Sequence, residues 1–585
     1  MFGNIIDIDD NKVTLVNLKQ EAETNILNYH VIFAENDRKV VGEIVGINNE
    51  VIKILLVGEI KNDIFTSGVI KKPSFKTPAR LIYKSELELI LGSQDIAAKE
   101  NLLIGKSTTY EGYNISTKIN DFFTSHFAIV GNTGAGKSCG VARILQNIFY
   151  HNDDAMPINA HIVLFDAYGE YNSAFSKMNS LPNLRFKHYT TNTGFDDSQI
   201  IKIPAYFLDV DDLALLLNCK DSSMLPIIEQ ALKLVYIFTS ENEQVVEYKN
   251  DIIAKSLQDI LASGKNSTQI RDQIIAVLSK YNTDTLNLDT IISQPGYNRT
   301  IRQCLNIDAQ GKMNSVGFVV DFLQQYSKVD LEKIESTADF TYTLDDLYYA
   351  LEFALIGEGI LSSETIYEKA NQLKVRLHAI INSDSKKFFE FDKKIGKEQY
   401  IKEFFTANDG MPAQIVNVNF NYIDERFAKV LTKIFARLFF NYTVHLTNRA
   451  SFPIHIIIEE AHRYVQNDND LDLLGYNIFD RITKEGRKYG VILGLITQRP
   501  SELSTTSLSQ CSNFIAFRMF HPADINIISN ITSNVSNDTI ERIKTLRPGM
   551  AMAFGTAFKV PLIAKLDLPD PMPASTSVDI EKIWY

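Results

Sequence analysis

Cysteine is scarce in this sequence: Cys139, Cys219, Cys304 and Cys511 are scattered through 585 residues, with no C-x-x-C pair. That spacing argues against a disulfide framework or a zinc ribbon and fits a reducing cytoplasm. The ten histidines are equally dispersed, so no structural metal cluster is expected. No apolar run is long enough to span a bilayer, and the first residues lack the layout of a secretory signal. The chain therefore reads as cytoplasmic, with no membrane partner. Positive charge is in deficit, with 59 Lys and Arg against 71 Asp and Glu, a net charge of −12. Such a balance argues against a protein that coats itself with nucleic acid, but it leaves room for a ring with a basic channel and an acidic exterior.

What is present exceeds the capacity of one core, so two or three domains are expected. The chain is organised around Phe127 to Phe149, FAIVGNTGAGKSCGVARILQNIF. Four apolar residues, Phe127 to Val130, give a short buried-strand signal. Gly131, Asn132, Thr133, Gly134, Ala135, Gly136, Lys137 and Ser138 then match G-x-x-x-x-G-K-[ST] in full. Behind it, Val141, Ile144, Leu145, Ile148 and Phe149 recur at helical spacing. Glycines let the backbone curl around an anion and aim successive N–H groups at it, and the helix N-terminus adds partial positive charge. Lys137 can reach the outer phosphates, and the Ser138 hydroxyl can ligate Mg²⁺. The cofactors expected are ATP and Mg²⁺, with residues 131–138 and Cys139 forming the binding loop.

Other strand tips carry polar groups. His161 to Phe165 reads as a buried strand ending in Asp166-Ala-Tyr-Gly-Glu170-Tyr171. Acidic residues there lie on the edge where open α/β sheets bind ligands. Asp166 and Glu170 fit a place near the metal or the attacking water, and equally a helix cap with a solvated turn. Ile454 to Ile458 is followed by Glu459 and Glu460, two carboxylates that would be costly to bury without a metal or hydrogen-bond partners. One can hold the Mg²⁺ shell and the next can polarise the water that attacks the γ-phosphate. His462 reads as a packing or hydrogen-bonding residue. A later strand, Val491 to Ile496, ends in Thr497-Gln498, and Gln498 can orient the lytic water. Before that strand lie Arg481, Lys484, Arg487 and Lys488. A guanidinium can neutralise charge developing in phosphoryl transfer, but spacing leaves open whether it serves its own site or a neighbour's.

Residues 1–100 hold five or six short β-rich runs broken by Asn, Asp and Gly, which suggest a small N-terminal barrel. Residues 101–204 and 406–565 carry the α/β pattern, and 205–405 reads as a large helical insertion with polar linkers at 281–300 and 306–316. Residues 566–585 are Pro-rich and polar at first, and read as an extended C-terminal arm. Lysines 386, 387, 393, 394 and 397 read as a solvated face.

Taken together, GNTGAGKS, DAYGEY, EEAH, EGRKYGV, TQRP and LRPG, in that order, resemble the HerA-type hexameric DNA translocases of the FtsK–HerA branch of P-loop ATPases. The resemblance implies a RecA-like α/β core with a small N-terminal β-barrel. It implies a homohexamer that uses ATP to pump double-stranded DNA through its central channel. Carried over residue by residue, Lys137 and Ser138 hold phosphate and Mg²⁺, Glu459 supports the metal, and Glu460 is the catalytic carboxylate. Gln498 is the strand-tip sensor, and Arg487 is the candidate to reach a neighbour's nucleotide. Two departures stand out: Glu459 replaces the more common Asp, and DAYGEY lacks the Pro-His found between Asp and Gly in relatives. The chain has no nuclease or NAD-consuming constellation of its own, so an effector subunit is expected, a nuclease or Sir2-like enzyme as in relatives that act in end resection or antiviral defence, and the exposed strand edges and loops of the N-terminal barrel are the docking surface expected for it. Two alternatives stay open: a ring-shaped hub that assembles and switches an effector, and a protein-remodelling ATPase that does not move DNA.

Overall fold

The computed structural model describes residues 2–584 apart from 19–24, 36, 151–155, 182, 197–198, 240–242, 295, 314, 327–340, 359–363, 533–534, 536 and 575–579. The chain folds into two compact units. The first comprises Met1–Asn192, Ile401–Asp468 and Asn477–Tyr585, and the second Thr193–Tyr400 with Asn469–Tyr476.

The first unit opens with β1 (Phe2–Asp9), β2 (Lys12–Asn17), β3 (His30–Ala34), β4 (Lys39–Ile47), β5 (Val51–Lys61), β6 (Ile64–Ser67) and β7 (Ala79–Leu81). Alternation is clearest in β5, where every second side chain from Ile52 to Ile60 is buried, as a pleated strand with one face inward requires. The seven strands pair antiparallel in the order β1-β2-β5-β4-β3-β7, with β6 on β5. Hydrogen bonding thus runs as an open path from β1 to β7. Val13, Leu15, Val31, Phe33, Val40, Ile44 and Ile54 fill its interior.

The chain continues through β8 (Asn101–Ser107), β9 (Asn114–Lys118), β10 (Phe127–Val130), β11 (Ile162–Asp166) and β12 (Phe186–Thr190). It then enters the second unit, which is mostly helical and contains a hairpin, β13 (Ile291–Gln294) and β14 (Tyr297–Thr300). It returns as β15 (Ile415–Asn419), β16 (Ile454–Ile458), β17 (Val491–Thr497), β18 (Asn513–Phe517), β19 (Met550–Gly555) and β20 (Leu562–Lys565). The strands of the first unit's larger sheet lie in the order β12-β15-β11-β16-β17-β10-β18-β19-β20-β8-β9. From β12 to β18 all neighbours are parallel, and from β18 onward they are antiparallel. Strands β10, β11, β16, β17 and β18 are near-continuous apolar runs because helices cover both faces of such a sheet. The result is an α/β P-loop ATPase fold of RecA type, in which β17 separates the phosphate-loop strand β10 from the glutamate-bearing strand β16.

In the second unit, the helices Val210–Leu216, Leu225–Thr239, Glu243–Ala262 and Leu344–Glu358 arise where apolar residues recur at three-and-four spacing. The stretch 281–300, expected as a polar linker, instead contains the β13–β14 hairpin, closed by Gly296 at φ 93° with Ile292 buried beneath it. Of the stretch 566–585, expected as an extended arm, residues 566–574 form neither helix nor strand and are packed rather than free, whereas Ile580–Trp584 is a short helix. Gln146 donates to the Pro571 carbonyl at 2.8 Å and accepts from the Asp570 N–H at 3.0 Å. The Ala574 N–H donates to the Glu170 carbonyl at 2.8 Å.

Candidate functional site

Strand β10 delivers the chain into the loop 131–136, and the helix Lys137–Phe149 leaves it. Gly136, the residue before that helix, has φ 93°, and a Cβ there would lie 3.0 Å from the Gly549 nitrogen. Both facts favour glycine, because the left-handed backbone strains a residue with a Cβ and the close approach leaves little room for one. The approach is functional in form: the Gly549 N–H donates to the Ala135 carbonyl at 3.0 Å, so the LRPG turn braces the phosphate loop from behind. On the β18 side, the Asn132 N–H donates to the Arg518 carbonyl at 2.9 Å. Cys139 lies in the first turn of the helix, and burial pushes its thiol pKa up.

Parallel strands place their carboxyl ends on one edge, and this brings together residues more than 300 positions apart. Thr133 Oγ1 donates to Gln498 Oε1 at 2.6 Å, and Gln498 Nε2 donates to Glu460 Oε1 at 3.3 Å. Lys137 Nζ lies 3.7 Å from the same oxygen, on a side chain 9% exposed. Glu460 has φ 47°, an uncommon conformation for a residue with a Cβ and one found disproportionately at functional sites. Its second oxygen, Oε2, lies 3.3 Å from His462 Nδ1 yet makes no hydrogen bond. His462 Nδ1 is 3.1 Å from Thr497 Oγ1, and burial holds the ring pKa below its usual range.

Glu459 is turned elsewhere. It is 2% exposed, accepts from the Ala167 N–H at 3.1 Å, and lies against the Asp166 carboxyl group. Burial first, and Asp166 second, push its pKa well above the usual carboxylate range. Asp166 is fully buried and works as a loop cap: Oδ1 accepts from the N–H groups of Gly169 (2.8 Å) and Glu170 (3.1 Å), and Oδ2 from that of Tyr171 (3.0 Å). Asn417, inside β15, donates to Asp166 Oδ2 at 3.2 Å. Of the two readings open for this loop, Asp166 shows the cap geometry. Glu170 does not, because its carboxylate faces Ser138 and Lys137.

Arg487 is on the other edge. It is exposed and precedes β17, and its Nε donates to the Thr124 carbonyl at 3.1 Å, ahead of β10. The seven residues of β17, about 20 Å of extended chain, separate that edge from Gln498. The geometry thus joins Thr133, Lys137, Glu460 and Gln498, sets Glu459 behind them, and keeps Arg487 away from its own phosphate loop. Sequence reasoning missed the bracing by Gly549 and the support of Asp166 by Asn417. The second had a signal, an asparagine between two valines in a short strand.

Residues 102–316 match the family model of the helicase HerA central domain. Over 90% of its length the chain is 25% identical to the DNA double-strand break repair helicase HerA of Pyrococcus furiosus, covering 79% of that protein. It is 24% identical to the HerA of Saccharolobus solfataricus, over 91% of this chain and 81% of that one. The chain is a P-loop ATPase similar to the HerA helicases. Among solved structures, the bacterial conjugative coupling protein TrwB is similar at a TM-score of 0.41 and 10% identity, over 85% of this chain and 94% of that one. The chain carries on one edge the phosphate loop, Lys137, the Glu460 carboxylate and the Gln498 amide. Among the described residues, no helix is long and apolar enough to cross a membrane.

Proposed function

We propose that the chain assembles as a homohexameric ring that hydrolyses ATP with Mg²⁺ and moves double-stranded DNA through its central channel. The observation that carries this reading is the position of Arg487, exposed on the edge of the sheet opposite the phosphate loop. A guanidinium there serves phosphoryl transfer only if a second copy presents its own nucleotide to it. Lys137 grips the phosphates, Glu460 polarises the attacking water and Gln498 senses the γ-phosphate. Mg²⁺ fits the residues present, since the buried oxygens Glu170 Oε2, Tyr171 Oη and Glu460 Oε2, which have no hydrogen-bond partner, all belong to the residues around Lys137 and Ser138. When bound, the ion neutralises charge on the β- and γ-phosphates. The relatives named as DNA double-strand break repair helicases support DNA as the cargo.

An effector, a nuclease or Sir2-like enzyme, docks on the N-terminal sheet, where exposed Ile6 and Ile64, with Ile70 and Phe75 of the segment between β6 and β7, offer apolar contact area. Antiviral defence is one setting for such a pair. The net charge of −12 favours a second reading, a ring that gathers and switches an effector without moving DNA. ATPase rate with and without linear double-stranded DNA separates the two. Several-fold stimulation that weakens with added salt is expected of a DNA motor. A rate indifferent to DNA rules out the motor reading.

A further inference from the structure

We propose that Glu170, on the loop after β11, supplies the carboxylate that serves the divalent cation beside Ser138, and that Glu459 does not. The inference rests on the ATPase reading above and concerns which acidic residue faces the metal.

The two glutamates differ in what occupies them. Glu459 is 2% exposed, receives the Ala167 N–H, and lies against the Asp166 carboxyl group. A carboxyl group already engaged by a backbone N–H inside the sheet is poorly placed to reach a hard cation. Glu170 lies in the opposite situation. The Ser138 hydroxyl and the Lys137 ammonium both lie by its carboxylate, and its Oε2 is buried without a hydrogen-bond partner. The next residue adds an independent sign. Tyr171 has no exposed surface, and its hydroxyl has Ser138 as a neighbour but makes no hydrogen bond of normal geometry. A carboxylate oxygen and a phenol, both beside one serine hydroxyl and both buried without a hydrogen-bond partner, are the donors a cation there can use.

The loop is built to hold that arrangement. The Glu170 N–H donates to Asp166 Oδ1 at 3.1 Å, and its carbonyl accepts from the Ala574 N–H at 2.8 Å and from Ser173 Oγ at 3.3 Å. At Gly169, φ is 74° and a Cβ would lie 2.6 Å from the Asn419 amide nitrogen, so the turn that aims Glu170 accepts only glycine. Asp166 thereby acts as a positioning residue, fixing the loop whose glutamate faces the ion. Magnesium suits the sparse protein donor set, because it is commonly held by one or two carboxylates, substrate phosphates and water.

The test uses the full chain with Mn²⁺ in place of Mg²⁺ and a non-hydrolysable β,γ-imido ATP analogue, and reads bound Mn²⁺ by electron paramagnetic resonance. Fluorescent-nucleotide binding in EDTA is measured in parallel. Glu170→Gln is expected to weaken Mn²⁺ binding about 10- to 100-fold while metal-free nucleotide binding stays at the wild-type level. Glu459→Gln is expected to bind Mn²⁺ as wild type does. Glu170→Asp, which keeps the charge but retracts it, is expected to fall between, and it carries the test if Glu170→Gln does not fold. Wild-type Mn²⁺ affinity in the Glu170 variants, or its loss in Glu459→Gln alone, overturns the inference. A wild-type chain that binds no nucleotide overturns the ATPase reading instead.

Discussion

Glu460 takes a left-handed backbone conformation at φ 47°, which points its carboxylate at Lys137 and Gln498 rather than along the strand. Its neighbour Glu459, one residue earlier on the same strand end, is turned into the sheet against Asp166. Adjacent carboxylates thus sit in opposite environments, and only one faces the phosphate loop. Glu460→Gln is expected to keep ATP binding while turnover falls at least ~100-fold, since the amide cannot polarise water. Lys137→Ala, by contrast, should weaken binding itself. Steady-state hydrolysis and fluorescent-nucleotide titration separate the two effects, and normal turnover in Glu460→Gln would remove that residue from catalysis.

At the scale of elements, β10 is held between β17 and β18, and His126 secures its amino end. His126 Nδ1 accepts the Leu493 N–H at 2.9 Å, and its carbonyl accepts the Ser512 N–H at 2.9 Å, tying the start of β10 to both neighbours. The ring is fully buried, and burial, with Arg487 nearby, pushes its pKa down to about 4. Because the folded state disfavours the proton, stability is complete above the unfolded-state value of about 6.5 and is lost as pH falls toward 4. Between pH 7.5 and 5 this one group removes about 2 kcal/mol. The melting temperature should therefore drop over that interval, and drop less in His126→Leu. Equal drops in both chains would show that His126 is not the titrating group.

For the whole molecule, the decisive feature is that Arg487 and the phosphate loop occupy opposite edges of one sheet. If the arginine acts on a neighbour's nucleotide, Arg487→Ala subunits should form rings that are nearly inactive alone. Mixing them with Glu460→Gln subunits should restore part of the turnover, because some interfaces then pair an intact carboxylate with an intact guanidinium. Hydrolysis measured across mixing ratios gives the answer, and flat inactivity at every ratio would assign Arg487 a role within its own subunit or in structure alone.

The sequence by itself determined the local pieces. Phe127 to Val130, the glycines and the helix behind them specify strand, anion nest and helix through near-neighbour sterics and periodicity, which need no distant partner. The strands ending at Ile458 and Thr497 were legible for the same reason, as short apolar runs closed by polar groups. Sequence could not say which way Glu459 and Glu460 turn, because both follow the same strand and differ only in the groups that other strands bring against them. Nor could it distinguish Asp166 as a loop cap from Glu170 as a group facing Ser138, since that depends on three backbone N–H groups and on Asn417 of a strand 251 residues away. The parallel register of β11, β15, β16, β17 and β10 decided these questions by collecting strand ends on one edge. It also set Arg487 on the opposite edge, because the residue before a parallel strand and the residue after it lie a full strand length apart.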